Sequence, residues 1–247
     1  TKRTSGMKHK FLFILLFSLV LEGMVTTQAV AGDYVHQVNT LIGTKGTGLT
    51  SGYLYPGATY PYGMVQFTPS YFSKRSGFVI NQLSGGGCEH MGNFPTFPVK
   101  GKLKMSPDNI LNYRINVSEE KGHAGYYEAM VQEDIKAKLT VTERTGMASY
   151  EYPADQQYGT IIIGGGISAT PIEQAAIVIT APNKCEGYAE GGNFCGLRTP
   201  YKVYFVAEFD TDAFETGTWK REELMPNTTF AEGEYSGVYF TFDVNKK

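Results

Sequence analysis

The segment Gly85-Gly86-Gly87-Cys88-Glu89-His90 puts a thiol, a carboxylate and an imidazole within three residues, the groups a nucleophile and its base would need. Neighbours in an extended segment point to opposite faces, and catalytic partners usually meet in space from distant parts of a chain. Three glycines in a row instead favour a shaped loop, where backbone passes close to a ligand or to another segment. A second candidate is Gly164-Gly165-Gly166-Ile167-Ser168-Ala169, which follows the apolar run Ile161-Ile162-Ile163 and satisfies G-x-G-x-x-A. A dinucleotide site needs that turn to open a helix inside a βαβ unit. Thr170-Pro171 and the β-branched run Ile177-Val178-Ile179-Thr180 follow instead, so the glycines predict a turn between strands. His36, His90 and His123 have no ligand-like mutual spacing, no C-x-x-C pair exists, and a metal site is not expected. Cleaving a glycoside would take two carboxylates about 5 to 9.5 Å apart, and spacing alone selects no such pair here. The aromatic segment Tyr53-Leu54-Tyr55-Pro56-Gly57-Ala58-Thr59-Tyr60-Pro61-Tyr62-Gly63 has rings beside turn residues, which suits stacking on sugar faces.

The elements that must position these residues are strands. The candidates are Gly63–Thr68, Phe97–Met105, Tyr126–Gln132, Ile135–Thr142, Met147–Tyr152, Thr160–Gly164, Ala176–Thr180, Tyr201–Phe209 and Gly237–Val244. Each is rich in Val, Ile, Thr, Tyr and Phe and bounded by turn residues. Ile135, Ala137, Leu139 and Val141 alternate with Lys136, Lys138, Thr140 and Thr142, which predicts one buried and one wet face. Tyr201–Phe209 alternates less strictly and is expected to bury both faces. No stretch beyond the leader sustains a 3.6-residue apolar period. Closely spaced strands with turn signals between them predict an all-β fold, a large antiparallel β-sandwich.

Met7 is followed by Lys8, His9 and Lys10, the apolar run Phe11–Leu21, and Ala29-Val30-Ala31 before Gly32. Basic, apolar and A-x-A parts make a secretory signal peptide, and the apolar run is too short to span a bilayer. Residues 1–31 are therefore expected to be removed, leaving 32–247 as one exported domain that is periplasmic, surface-bound or secreted. The chain carries 22 basic and 24 acidic residues, and losing the leader makes it more acidic. Nucleic acid and anionic membrane are thereby excluded as partners. In an oxidising compartment Cys185 and Cys195 could close the turn-rich Glu186–Phe194 connection, or stay as unpaired thiols. Cys88 is then the odd one, either buried or near a pocket.

Taken in order, several segments resemble glycoside hydrolase family 92. Val38-Asn39-Thr40-Leu41-Ile42-Gly43-Thr44 is similar to that family's V-N-x-x-I-G-T opening. Pro56-Gly57-Ala58-Thr59-Tyr60-Pro61-Tyr62-Gly63-Met64-Val65 through Pro69 is similar to P-G-A-x-x-P-F-G-M-V-x-x-x-P. Leu83-Ser84-Gly85-Gly86-Gly87-Cys88 is similar to L-S-G-x-G-C, and Gly125-Tyr126-Tyr127, Ile135–Thr140 and Tyr204–Phe209 follow in the family's order.

The resemblance implies the N-terminal β-sandwich of a calcium-dependent, inverting exo-α-mannosidase. In the family a large (α/α)6 barrel follows and holds most of the calcium ligands, the general acid Glu and the base Asp. This chain alone is then expected to be inactive and to bind no cofactor, with calcium belonging to the barrel. The expected partners are a mannose-containing glycan and the barrel domain in cis. Without that barrel an apolar docking face would be left exposed, favouring aggregation or a partner chain. Sandwich loops reach the mannose pocket in the family, so Gly85, Gly87, Cys88 and the adjoining Glu89 are implied substrate contacts. The family's Trp- and Asp-rich stretch is replaced here by Ser70–Phe78, where Tyr71 and Phe72 are the candidate stacking residues, and Gln82 stands where a His precedes L-S-G. The rival expectations are a free-standing carbohydrate-binding module and a structural or adhesive sandwich.

Overall fold

The computed structural model describes residues 34, 37–44, 54–70, 77–85, 88, 90–108 and 116–245. The leader lies outside them, as do the candidate residues Tyr71, Phe72, Gly87 and Glu89. Within the folded unit Val35–Lys247, every element that can be bounded is a strand, and every strand pair is antiparallel. A central sheet has the spatial order β1 (Ala58–Thr59), β2 (Gln66–Pro69), β3 (Phe78–Val79), β4 (Thr96–Lys100), β9 (Tyr158–Gly164), β16 (Ser236–Asp243), β13 (Glu215–Lys220) and β14 (Glu223–Pro226). A second sheet runs β5 (Val117–His123), β6 (Tyr126–Val131), β7 (Ile135–Val141) and β8 (Gly146–Glu151). A third runs β12 (Leu197–Glu208), β11 (Lys184–Phe194), β10 (Ile172–Ala181) and β15 (Phe230–Glu232).

The central sheet is covered on both faces, so the sandwich has three layers. Alternation along β9 makes this explicit. Ile162 joins a core with Tyr127, Ile135 and Leu139 of the β5–β8 sheet, while Ile161 and Ile163 join one with Ile177, Cys185 and Ala189 of the β10–β12 sheet. On β16, Tyr239 faces the first core and Val238 and Phe240 the second. Both strands therefore read as continuous apolar runs, because neither has a wet face. Each fully buried isoleucine contributes about 2 kcal/mol by leaving water.

The outer sheets show the one-sided pattern. In β7 Ile135, Ala137 and Leu139 are fully buried, while Lys136 reaches Glu128 of β6 and Lys138 reaches Glu151 of β8 on the wet face. β12 corrects an expectation: Tyr201–Phe209 does not bury both faces. It lies at a sheet edge and alternates strictly, with Val203, Phe205 and Ala207 against the core and Tyr204 and Val206 outward. The Glu186–Phe194 segment is a second correction. It is not a turn-rich connection but strand β11, paired on both sides by β10 and β12. Its glycines serve close packing: a Cβ on Gly187 would sit 2.4 Å from the Ala176 carbonyl oxygen. The G-x-G-x-x-A glycines close the end of β9 in the same way. Gly165 and Gly166 both donate N–H to the Ser236 carbonyl, and a Cβ on Gly166 would lie 1.9 Å from the Gly233 oxygen. No phosphate could enter there.

Candidate functional site

Three connections meet at one end of the β10–β12 sheet: Ile80–Pro95 between β3 and β4, Gly165–Pro171 between β9 and β10, and the β11–β12 turn. The first carries the Gly-rich candidate loop. Its entry is fixed by Gln82, whose buried side chain donates to Thr68 Oγ1 and, at 3.1 Å, to the Pro69 carbonyl. Tyr55 braces the same point by donating its hydroxyl to the Gln82 carbonyl at 3.2 Å. Tyr55 is thus a support for the loop rather than an open sugar platform, and burial pushes its phenol pKa up.

The loop is closed by His90. The Leu83 N–H donates to His90 Nε2 at 3.0 Å, so Nε2 carries no proton and the ring is held neutral. Burial holds the His90 pKa below its usual value, in agreement with that role. Its ring packs against Phe194, with centroids 5.3 Å apart. Cys88 is bonded to Cys195 across the β11–β12 turn, with Cα atoms 5.5 Å apart. The disulfide overturns the Cys185–Cys195 possibility. Those two residues stand at opposite ends of an extended strand, about 33 Å apart at 3.3 Å per residue. Cys185 is a buried free thiol, its pKa pushed up to about 12 by burial. With the Cys88 sulfur in a disulfide and His90 Nε2 already occupied, the nucleophile-and-base reading of this segment has neither partner.

Beyond the disulfide the backbone is forced. Met91, Gly92 and Phe94 all have positive φ, of 46°, 74° and 52°. Left-handed geometry costs a residue with a Cβ roughly 1–2 kcal/mol, so Met91 and Phe94 persist only because their surroundings hold them. Those surroundings are specific. Asn93 N–H donates to Asn81 Oδ1 at 2.8 Å, Asn81 Nδ2 returns a bond to Asn93 Oδ1 at 3.0 Å, and Tyr201 Oη donates to Asn93 Oδ1 at 3.1 Å. The Ala169 N–H donates to the Met91 carbonyl at 2.7 Å. Gly85 also has positive φ, 72°, but a Cβ there would meet nothing within 4 Å. The tight turn alone calls for glycine at that position, since no described residue stands where a side chain would go.

Among the implied contacts, Gly85 and Cys88 are therefore described and lie on one tethered loop. Asn81, Asn93, Phe194 and Tyr201 support that loop, and no local sequence pattern singled them out; Cys195 was singled out, but with Cys185 as its possible partner. Of the aromatic segment, Tyr60 and Tyr62 are exposed. Gly63 N–H donates to the Tyr60 carbonyl at 3.0 Å, closing a turn with Pro61 second and Tyr62 third at φ 60°, a position that normally prefers Gly or Asn. Among the described residues no three His, Cys, Asp or Glu side chains gather as a metal site.

The description "Glycosyl hydrolase family 92 N-terminal domain" matches residues 37–247. A family GH92 α-mannosidase from Bacteroides thetaiotaomicron superposes on 85% of this chain with a TM-score of 0.71 and 25% identity. A gh92 family glycosyl hydrolase, ccman5, superposes on 86% with a TM-score of 0.72 and 22% identity, a likeness of fold alone. A protein named as a secreted glycosidase in Arthroderma benhamiae is 30% identical over 159 residues, 55% of this chain. The chain spans 31% of each of those two solved structures and 20% of that curated relative.

Proposed function

The chain belongs to the glycosyl hydrolase family 92 N-terminal domain family, and on that premise we propose that it is the glycan-contacting sandwich of an exported α-mannosidase. The observation that carries this reading is the loop from Leu83 to His90. It carries one of the segments similar to the family's pattern, and it is held by Gln82, His90 and the Cys88–Cys195 bond with more support than a plain connection requires. We assign Gly85 and Cys88 to the mannoside and, from the family resemblance alone, Gly87, Glu89, Tyr71 and Phe72 as well. Tethers at Leu83, Cys88 and His90 would hold a subsite in place before the sugar arrives, so less binding energy goes into ordering the loop.

The hydrolytic step belongs, in this reading, to a catalytic domain joined in cis. An inverting site needs a carboxylic acid, a carboxylate and a water between them. Calcium, if the enzyme uses it, is held by that other domain, and this chain's part is to bind and orient. A disulfide joining two loops fits export to an oxidising compartment, as the leader of residues 1–31 implies. The test is release of mannose from α-linked mannobioses by the purified domain, residues 32–247, and by the protein with its catalytic domain, each with and without calcium. Activity only in the longer protein, lost on replacing Cys88 and Cys195, supports the assignment. Calcium-dependent release by residues 32–247 alone would refute it.

A further inference from the structure

The two outer sheets turn different faces to solvent. Across β6, β7 and β8 the outward face is a charge ladder, Lys136 with Glu128 and Lys138 with Glu151. Across β12, β11, β10 and β15 it combines aromatic and apolar side chains with the ion pairs Lys184–Glu208 and Lys202–Glu190. There the register sets Tyr188 between Tyr204 and Ala176, and Val178 between Glu186 and Phe230. Small side chains in the middle and large ones at both sides leave a cleft of about 370 Å³, floored by Ala176 and Val178 and walled by Phe230, Tyr188 and Tyr204. That volume lies in the range of small-molecule sites. Tyr204 is 69% exposed and Phe230 53% exposed, so the walls stand open. The Tyr188 and Tyr204 ring centroids are 6.0 Å apart.

Charge chooses the occupant. Glu186 lines the cleft, and Glu190 and Glu232 stand on the same face. Lys202 has its ammonium 4.0 Å from the Tyr188 ring centre and is already paired with Glu190, and Lys184, on the same face of β11, is paired with Glu208, which leaves Glu186 and Glu232 to set the local charge. The field is therefore acidic and repels an anionic ligand. Charges set among the rings also differ from a protein-interface core, which is depleted of them. Ring faces suit the C–H surface of a sugar, while a carboxylate, phenol hydroxyls and an ammonium suit its hydroxyl groups. The geometry points to a binding site for a neutral pyranose unit of a glycan on the outer face of β10–β12. It is separate from the Leu83–His90 loop and does not depend on the role proposed for that loop.

The experiment is affinity electrophoresis of the full chain in gels containing yeast mannan, galactomannan or polygalacturonate. Retardation is expected with a neutral polysaccharide and none with polygalacturonate. Tyr204→Ala and Phe230→Ser should each weaken binding about fivefold or more. Glu186→Gln, which keeps shape and leaves the strand intact, should weaken it about threefold. Met147→Ser, on the outer face of β8, should change nothing, and circular dichroism would show each variant folded. Three results would overturn the site: no retardation by any neutral polysaccharide, retardation that survives Tyr204→Ala and Phe230→Ser but not loss of Cys88 and Cys195, or self-association abolished by Tyr204→Ala in the absence of glycan retention.

Discussion

The Cys88–Cys195 bond makes the sharpest prediction. It closes a loop of 107 residues, and the chain-entropy relation assigns such a closure about 4.8 kcal/mol at 25 °C. Replacing both cysteines by alanine lets the denatured chain expand and also frees the left-handed backbone at Met91 and Phe94 to relax in the native state. The expected net loss is therefore about 3–5 kcal/mol. With an m-value of about 3 kcal/mol/M for a domain of this size, the urea midpoint should fall by about 1–1.7 M. Thiol titration gives an independent reading. Denatured without reductant, the protein should show one thiol, that of Cys185; denatured with reductant, it should show three. In the folded state Cys185 should stay unreactive, since it is buried and its pKa is pushed up to about 12. Three thiols without reductant, a peptide map linking Cys185 to Cys195, or a midpoint change below about 0.3 M would refute the reasoning.

Other perturbations follow from single contacts. Tyr150 stacks on Phe78 with centroids 6.2 Å apart, but its hydroxyl is buried without a hydrogen-bond partner among the described residues, so Tyr150→Phe should be neutral or stabilise by about 1 kcal/mol in urea melts. His90 is neutral in the fold with its pKa lowered by burial, whereas an unfolded histidine titrates near 6.5. The unfolded chain therefore binds the extra proton first, and stability should fall as pH drops below about 6.5. Comparing melts at pH 7.5 and 5.5, His90→Gln should lose less stability than the parent. Gly166→Ala would press a methyl onto the Gly233 carbonyl 1.9 Å away and should destabilise by more than about 3 kcal/mol, seen as a drop in thermal midpoint.

The β7 strand shows what a sequence can specify by itself. Four apolar residues alternating with lysine and threonine admit one register against β6 and β8, because a slip of one residue would bury Lys136 and Lys138. β9 and β16 were legible as strands for a different reason, their β-branched and aromatic content, yet nothing in either run says which face meets which outer sheet. β11 was missed because its glycines look like turn residues. Only the close approach of the Ala176 backbone on one side and Phe205 on the other explains why glycine belongs inside that strand. β1, β3 and β15 are two or three residues long, too short to carry any period.

The loop end obeys another logic. Its family motif was readable as one of an ordered series with Val38–Thr44, Tyr55–Pro69, Gly125–Tyr127, Ile135–Thr140 and Tyr204–Phe209, from which the family could be expected. Its supports were not readable, because each acts over a distance no local pattern spans. Asn93 meets Tyr201 across 108 residues and Cys88 meets Cys195 across 107. Such contacts depend on the pairing of β11 with β12, which brings the turn at Phe194–Leu197 beside the loop. Local turn residues could have shaped a Gly-rich loop loosely; a long-range bond, a buried neutral imidazole and an asparagine pair tie down its described residues Leu83, Cys88 and His90 and the segment that follows. Fixing at that expense in strain and desolvated polar groups is what a binding surface requires and a mere connection between two short strands does not. The same reasoning makes the loop, rather than the exposed Tyr60–Tyr62 turn with its single closing hydrogen bond, the first place to test the glycan contact proposed above.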